Sequence, residues 1–372
     1  MKSGRRNLES RHGRLGAGLR MISGAARNNL VAAISDTCRA GLDLDELRRQ
    51  LLPRLRRAVP VDALWWAAAD PATLLFNRPA RVEIPAETGP YFVDNEYAQN
   101  DVNKWTELAR DGRGVRTLWQ ATAGEPEQSA RYRDIFRPIG LGDELRAVLR
   151  ADGECWGYLC LHREGPNGFG DEEAQFVELV APQLAAGFRL ATLIGETRVG
   201  DEATGVLLLT EDGELASVNA AGQRWLEEMR ADPSANQLPL ELLAVAARLH
   251  QTEGTAARSP RLRVRTLAGR WTVLHASWLG APPARSVAVI IEDAAPRDVL
   301  PLLMAAYRLT QQERKLTGLV CQGLSTKEIG AHLHLTTNTV QDHLKSIFTK
   351  TGVRSRRELV ATLLKQQFAT SG

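Results

Sequence analysis

Apolar residues recur at helical spacing from about residue 43. Leu44, Leu47, Leu51 and Leu55 fall on one side of "LDLDELRRQLLPRLRRAV". This predicts a helix with Pro53 as its point of kinking. "VDALWWAAAD" and "ATLLFN" then read as strands, and residues 85–135 are polar and irregular, with Trp105 and Trp119 inside them. "LRAVLRADGECWGYLCLHRE" is a hairpin turned at Asp152-Gly153, with β-rich runs on both sides. A long helix follows from about Asp171, with acids in its first turn where the helix dipole favours them. It reads equally as a closing helix or as a coiled coil running to residue 195 and on into the next unit. Together these elements make one α+β unit.

A second pattern starts near Thr204. "GVLLLTEDGELASVNAAGQRWLEEM" reads strand, turn, strand, helix, with Asn219 at the N-cap position. The helix "PLELLAVAARLH", a hairpin turned at Ala268-Gly269 and a last strand "SVAVIIED" complete a five-stranded antiparallel unit.

Past residue 309 the pattern becomes all-helical, with start signals at short intervals. Thr310-x-x-Glu313, Ser325-x-x-Glu328 and Ser355-x-x-Glu358 are capping boxes, and Thr336 caps a fourth run. Four short helices in such a span form a compact bundle. Within it, Ser325–Leu333, a turn at His334-Leu335 and Thr337–Thr349 have helix-turn-helix spacing. Val340, Leu344, Ile347 and Phe348 share one side of the second of these helices. The opposite side offers Asn338, Gln341, Asp342, Lys345 and Thr349, all polar. An α-helix fits the major groove of duplex DNA, which makes Asn338, Gln341, Asp342 and Lys345 the candidate base readers. Lys327, Thr337, Thr339, Lys350, Arg354 and Arg356 are the candidate backbone contacts.

Charge supports that partner. The whole chain has a net charge of +3, but its first 27 residues and its last 71 are each strongly basic, so the body between them is acidic. The Gly/Arg-rich stretch 1–27 is aperiodic and reads as a disordered tail, within which Met21 offers a second start. With 372 residues the chain exceeds one compact core. It has no run of eighteen apolar residues, and Arg20 interrupts the weakly apolar start, so a cytoplasmic protein without a membrane segment is expected. Cys38, Cys155, Cys160 and Cys321 are too scattered for a disulfide framework and read as buried hydrophobes, with a redox pair at Cys155 and Cys160 as the alternative. His332, His334 and His343 lack a fourth partner for a metal, and Trp65, Trp66, Trp105, Trp119 and Trp156 suit a core better than a pocket. No Walker loop, nucleophile elbow or zinc-protease motif occurs, so no catalytic residue is assigned and no enzyme is expected.

The C-terminal spacing closely resembles the LuxR-type helix-turn-helix domain. The match runs through Leu309, Thr310, Glu313, Gly323, Leu324, Ser325, Lys327, Glu328 and Ile329. It continues through Leu333, Leu335, Thr339, Val340, His343, Leu344, Lys350, Gly352, Val353, Ser355, Arg356, Glu358 and Leu359. The resemblance implies a transcription regulator that binds double-stranded DNA as a homodimer through its last helix. Here that helix supplies Leu359, Val360 and Leu363. Two positions depart from the family, which often has a basic residue at Gln341 and an apolar or small one at Asp342; Lys345 matches a basic position directed at DNA. Asp342 is expected to accept from a cytosine amino group and to discourage non-specific docking. The two upstream units resemble GAF and PAS sensor domains, which implies a small-molecule effector of unknown identity; no cofactor is assigned.

The expected architecture is therefore a tail at 1–27, a GAF-like domain at 28–195 and a PAS-like domain at 203–294. A connector at 295–308 leads to the LuxR-type domain at 309–368, whose helix-turn-helix runs from Thr326 to Lys345. RNA polymerase is a further partner that this reading admits. The alternatives are a quorum-type regulator with a single acyl-ligand domain, and a dimerising scaffold with a degenerate DNA-binding module.

Overall fold

The computed structural model describes residues 24–110, 112, 114–166, 168–194, 203–230, 237–252, 259–282 and 285–365. The first unit opens with α1 (Gly24–Arg39) and α2 (Leu44–Ala58). Most of the expected tail, up to residue 23, lies outside the described residues; residues 24–27 are the first turn of α1, whose Leu30 and Ile34 are buried. Leu44, Leu47, Leu51 and Leu55 are all buried along α2, and Pro53 lies inside that helix without ending it. Asp43 caps α2 by accepting from the Asp45 and Glu46 N–H groups, both at 3.0 Å.

Then follow β1 (Ala63–Ala68), β2 (Arg81–Val82), α3 (Gly89–Tyr97), α4 (Trp105–Arg110), β3 (Val115–Thr117) and α5 (Leu118–Ala121). The hairpin β4 (Leu141–Ala151) and β5 (Glu154–Glu164) and the long α6 (Asp171–Thr192) complete the unit. The sheet is antiparallel in the order β2-β1-β5-β4-β3. Asp152 and Gly153 both have positive φ, 54° and 81°, as the tight hairpin turn requires. "ATLLFN" is not a strand. Asp70 accepts from the Ala72 N–H at 2.9 Å, Leu74 takes a φ of 61°, and the chain turns after a lone Ala69–Phe76 bridge.

Successive strand residues face opposite sides of a sheet. Trp66 accordingly stacks on Phe188 of α6 with ring centres 5.4 Å apart, while Trp65 stacks on Trp105 at 4.7 Å across the other face. That second face buries charge as well as aromatics. Arg146 reaches Glu96 at 2.6 Å and Glu144 at 3.0 Å, and lies 4.3 Å over the Trp105 ring. Arg131 meets Glu144 at 2.8 Å and Asp101 at 3.5 Å. Burial opposes ionisation of Glu144, but the two guanidiniums outweigh it and hold the carboxyl at about 2.

The second unit has β6 (Gly205–Leu209), β7 (Leu215–Val218), α7 (Ala220–Met229), α8 (Leu240–Thr252), β8 (Arg261–Arg265), β9 (Trp271–Leu279) and β10 (Ser286–Asp293). Its order, β7-β6-β10-β9-β8, repeats that of the first sheet. Asn219 caps α7, accepting from the Gly222 N–H at 2.7 Å, and also accepts from the Val206 N–H at 3.0 Å. Helix α8 packs on α3, and Arg263 Nε donates to Asp70 at 2.6 Å, so the two units are joined by both apolar and charged contacts.

The expected connector is itself helical, as α9 (Pro296–Ala306). It leads into α10 (Gln311–Cys321), α11 (Thr326–Leu333), α12 (Thr337–Thr351) and α13 (Arg356–Lys365). Val299, Leu302 and Leu303 of α9 share one continuous apolar core with α6 and the C-terminal helices. Among the described residues no helix is long and apolar enough to cross a membrane.

Deleting one partner of a buried ion network leaves the others unpaired in low dielectric. Glu144→Ala should therefore destabilise the first unit by roughly 3–5 kcal/mol in denaturant unfolding of the full chain. A loss below about 1 kcal/mol would show that the network is not desolvated as described.

Candidate nucleic-acid interface

The helix-turn-helix is built by local rules. Ser325 accepts from the Glu328 N–H at 3.3 Å, and the Glu328 carboxylate accepts from the Ser325 N–H at 2.7 Å, starting α11. His334 ends it in the left-handed region at φ 56°, and the Leu335 N–H donates to Gly330 at 2.9 Å. A Cβ on Gly330 would lie 2.8 Å from the Leu335 carbonyl oxygen, so the turn needs glycine there. Thr336 then starts α12 by accepting from the Thr339 N–H at 3.2 Å. At the last helix only half of the expected box forms: Ser355 accepts from the Glu358 N–H at 3.1 Å, but Glu358 takes the N–H of Arg354.

On α12, Val340, Leu344 and Ile347 are buried and Phe348 is partly so. Thr337, Asn338, Gln341, Asp342, Lys345 and Thr349 are exposed, which leaves a polar groove-sized face. Within that face Lys345 Nζ donates to Asp342 at 3.3 Å, and both side chains are about three-quarters exposed, at 78% and 74%. The two charges cancel, so the centre of the face is neutral before it meets any ligand. Lys327, Arg354 and Arg357 are exposed around it.

Three of the candidate backbone contacts are already engaged within the chain. Lys350 Nζ donates to the buried Glu313 carboxylate at 2.6 Å. Arg356 donates to the Leu324 carbonyl, bracing the turn between α10 and α11. Thr339 is half-buried, and its hydroxyl shares a hydrogen bond with Thr336 at 2.8 Å. Of the residues expected at a dimer contact, Leu359 and Leu363 are fully buried in the single chain, where α13 packs on α9 and α10; Val360 stays partly exposed.

The residue that sequence reasoning undervalued is Glu313. Its capping role was legible, since it accepts from the Thr310 N–H at 2.7 Å. The same carboxylate also accepts from Ser346 at 2.7 Å and from Lys350, both on α12. Burial opposes its ionisation, but these donors outweigh it and bring the carboxyl down to about 2. Glu313 thus fixes α12 against α10.

The module is also held to the sheet units. Arg314 pairs with Glu154 at 3.0 Å, and Arg308 with Asp152 at the hairpin tip at 2.8 Å. Arg189 of α6 donates to the Ala306 carbonyl at 2.6 Å.

Elsewhere, Glu144, Cys160 and His162 bring potential metal-ligand atoms within 4.8 Å of one another, all buried. Two guanidiniums already occupy Glu144, and the Cys160 thiol is kept protonated by burial and by donating to that carboxylate at 3.5 Å. This environment opposes a cation. The four cysteines are free thiols.

Residues 307–363 match the family model described as bacterial regulatory proteins, luxR family, and residues 43–188 match that of the GAF domain. The spore germination protein GerE of Bacillus subtilis is 37% identical over 57 residues, which are 15% of this chain and 77% of that protein. The monoamine regulon transcriptional regulator of Klebsiella aerogenes is 40% identical over 75 residues, 17% of this chain. The chain spans only 33% of that regulator's length. The solved VqsR LBD domain from Pseudomonas aeruginosa is 19% identical, covering 45% of this chain and 97% of that one, with a TM-score of 0.30. Through its C-terminal helix-turn-helix module, the chain belongs to the luxR family of bacterial regulatory proteins.

Proposed function

We propose that this chain is a one-component, sequence-specific DNA-binding transcription regulator. The observation that carries the reading is α12, whose outer face is exposed and wholly polar while its inner face is locked into a four-helix module of luxR type. Its N-terminal half enters the major groove. Asn338, Gln341, Asp342 and Lys345 read base edges there, while Lys327, Thr337 and Arg354 hold phosphates. Docking exchanges the internal Asp342–Lys345 pair for DNA partners: Lys345 turns to an acceptor and Asp342 accepts from a cytosine amino group. A sequence lacking that donor leaves the acid facing a polyanion, so the pair acts as a filter.

The sheet units, GAF-like at 28–195 and PAS-like at 203–294, are the sensors, and their shared strand order supports that pairing. The chain works in the cytoplasm as a homodimer, with Val360 on the remaining open side of α13. A small-molecule effector changes the seating of α9, which touches both α6 and the DNA-binding helices. The Arg308–Asp152 and Arg314–Glu154 pairs are surface contacts worth about 1 kcal/mol or less each, so they bias the module's position without fixing it.

In a salt-titrated gel shift with the full chain, affinity for duplex DNA should fall steeply as salt rises. Lys345→Ala should weaken binding roughly tenfold, whereas Asp342→Ala should tighten binding to unrelated duplex about threefold. Absence of duplex binding at low salt would refute the reading, and an unchanged Asp342→Ala variant would remove the filter.

Glu313 has a separate consequence. Its folded carboxyl lies below the ordinary value of 4.5, at about 2, so its stabilisation is complete above 4.5 and is lost as pH falls towards 2. Glu313→Ala should destabilise the module by roughly 3 kcal/mol at neutral pH and flatten that acid limb, read by thermal unfolding across pH. An acid limb identical to that of the parent chain would contradict the assignment.

A further inference from the structure

Helix α9 is poorly suited to stand alone. It has 11 residues, and Pro301 lies inside it. Isolated helices shorter than about 12–15 residues are marginal in water. Pro301 also lacks the N–H that would bond back to the Arg297 carbonyl. Arg308, just past the C-terminus, takes a φ of 61°, in the left-handed region that a bulky side chain enters at a steric cost. The helical state of α9 therefore depends on what surrounds it.

Each sheet unit holds one end. At the start, Arg261 and Arg263 lie on the same face of β8, the edge strand of the second sheet. Arg261 Nη2 meets the Asp298 carboxylate at 2.6 Å, and Arg263 Nη1 donates to the Asp298 carbonyl at 3.1 Å. The other Asp298 oxygen accepts from the Ala295 N–H at 3.0 Å, which closes the cap of α9. Arg263 also makes a two-pronged pair with fully buried Asp70, just after β1, so this grip is braced against the first unit. Beside it, the Ala294 N–H donates to the Trp271 carbonyl at 2.9 Å. At the far end the holders come from the first unit. Arg189 of α6 donates to the Ala306 carbonyl at 2.6 Å, and Asp152 at the hairpin tip accepts from Arg308 at 2.8 Å. Between the two grips, α9 packs on α6, α10 and α13.

We propose that α9 is a regulatory strap that stays helical only while both grips hold. A helix this short opens in one cooperative step, so its two ends are coupled. Loosening at either end, by a change in either sheet unit, frays the whole of α9 and unseats the DNA-binding helices that pack on it. Both sheet units thus act jointly through one element. The inference rests on the role of α9 as relay in the proposed regulator.

The test uses the full chain with Arg261→Gln, with Asp152→Asn and with both. Arg261 and Asp152 are partly exposed, so these substitutions leave the fold intact, whereas removing Arg263 would strand Asp70 without its partner. Asparagine also accepts the positive φ of 54° at position 152. Hydrogen exchange is read by mass spectrometry without DNA. Arg261→Gln should speed exchange at residues 302–306, the end it does not touch, roughly fivefold, and Asp152→Asn should do the same at residues 298–300. The double variant should exceed the faster single variant by less than about twofold, because either loss alone releases the helix. Affinity for duplex DNA at one fixed salt concentration should shift in the same direction in both single variants. Faster exchange confined to the mutated end, multiplicative effects in the double variant, or exchange at the parent rate would each overturn the strap. Duplex affinity unchanged in both variants, or shifted in opposite directions, would do so too. Failure of the parent chain to bind duplex would refute the regulator reading alone, since exchange is measured without DNA.

Discussion

The Glu313 carboxylate is the contact on which the orientation of α12 depends. One buried acid accepts from the cap of α10 and from two side chains of α12. The orientation of α12 is therefore set by hydrogen bonds as well as by Val340, Leu344 and Ile347. A recognition helix must present its side chains within a fraction of an ångström, and packing by apolar residues alone tolerates more sliding than a charged three-way bond does. The arrangement uses Lys350 internally, while Lys327 and Arg354 stay exposed.

The neutral centre of the α12 face follows the same logic. Asp342 and Lys345 satisfy each other while solvent-exposed, so the pair contributes little to stability. The effect proposed for it is discrimination. In the proposed reading, attraction comes from basic residues at the edges of the module, and the centre rewards only a base pair that replaces both halves of the ion pair. Behind the module, α9 buries Val299, Leu302 and Leu303 in a core shared with α6. A change that moves α6 therefore has a packed route to the C-terminal helices.

Much of this was legible in the chain. The leucine spacing of α2, the Asp152-Gly153 turn, the Asn219 cap and the start signals of the C-terminal helices are local features, and local rules recover them. Tertiary choices were not legible. "ATLLFN" has strand composition, but the Asp70 side chain turns the backbone first. Leu359 and Leu363 have the apolar character of an interface, yet α9 and α10 cover them. The bonds of Arg356 to the Leu324 carbonyl and of Lys350 to Glu313 also depend on partners that only the fold brings near. The alternation that placed Trp65 and Trp66 in the core was readable, but the buried Arg131 and Arg146 beside Trp65 had no sequence signal, because Glu96 and Asp101 come from other elements and only Glu144 shares β4 with Arg146.

The proposed base reading by α12 is open to direct test. Selection of bound duplexes from a random pool, run in parallel with the full chain and with its Asn338→Ala variant, tests it most directly. The parent chain should enrich one defined sequence, and the variant should lose preference at a limited set of positions within it. Recovery of an unenriched pool, or of the same sequence with equal preference at every position from both proteins, would contradict it.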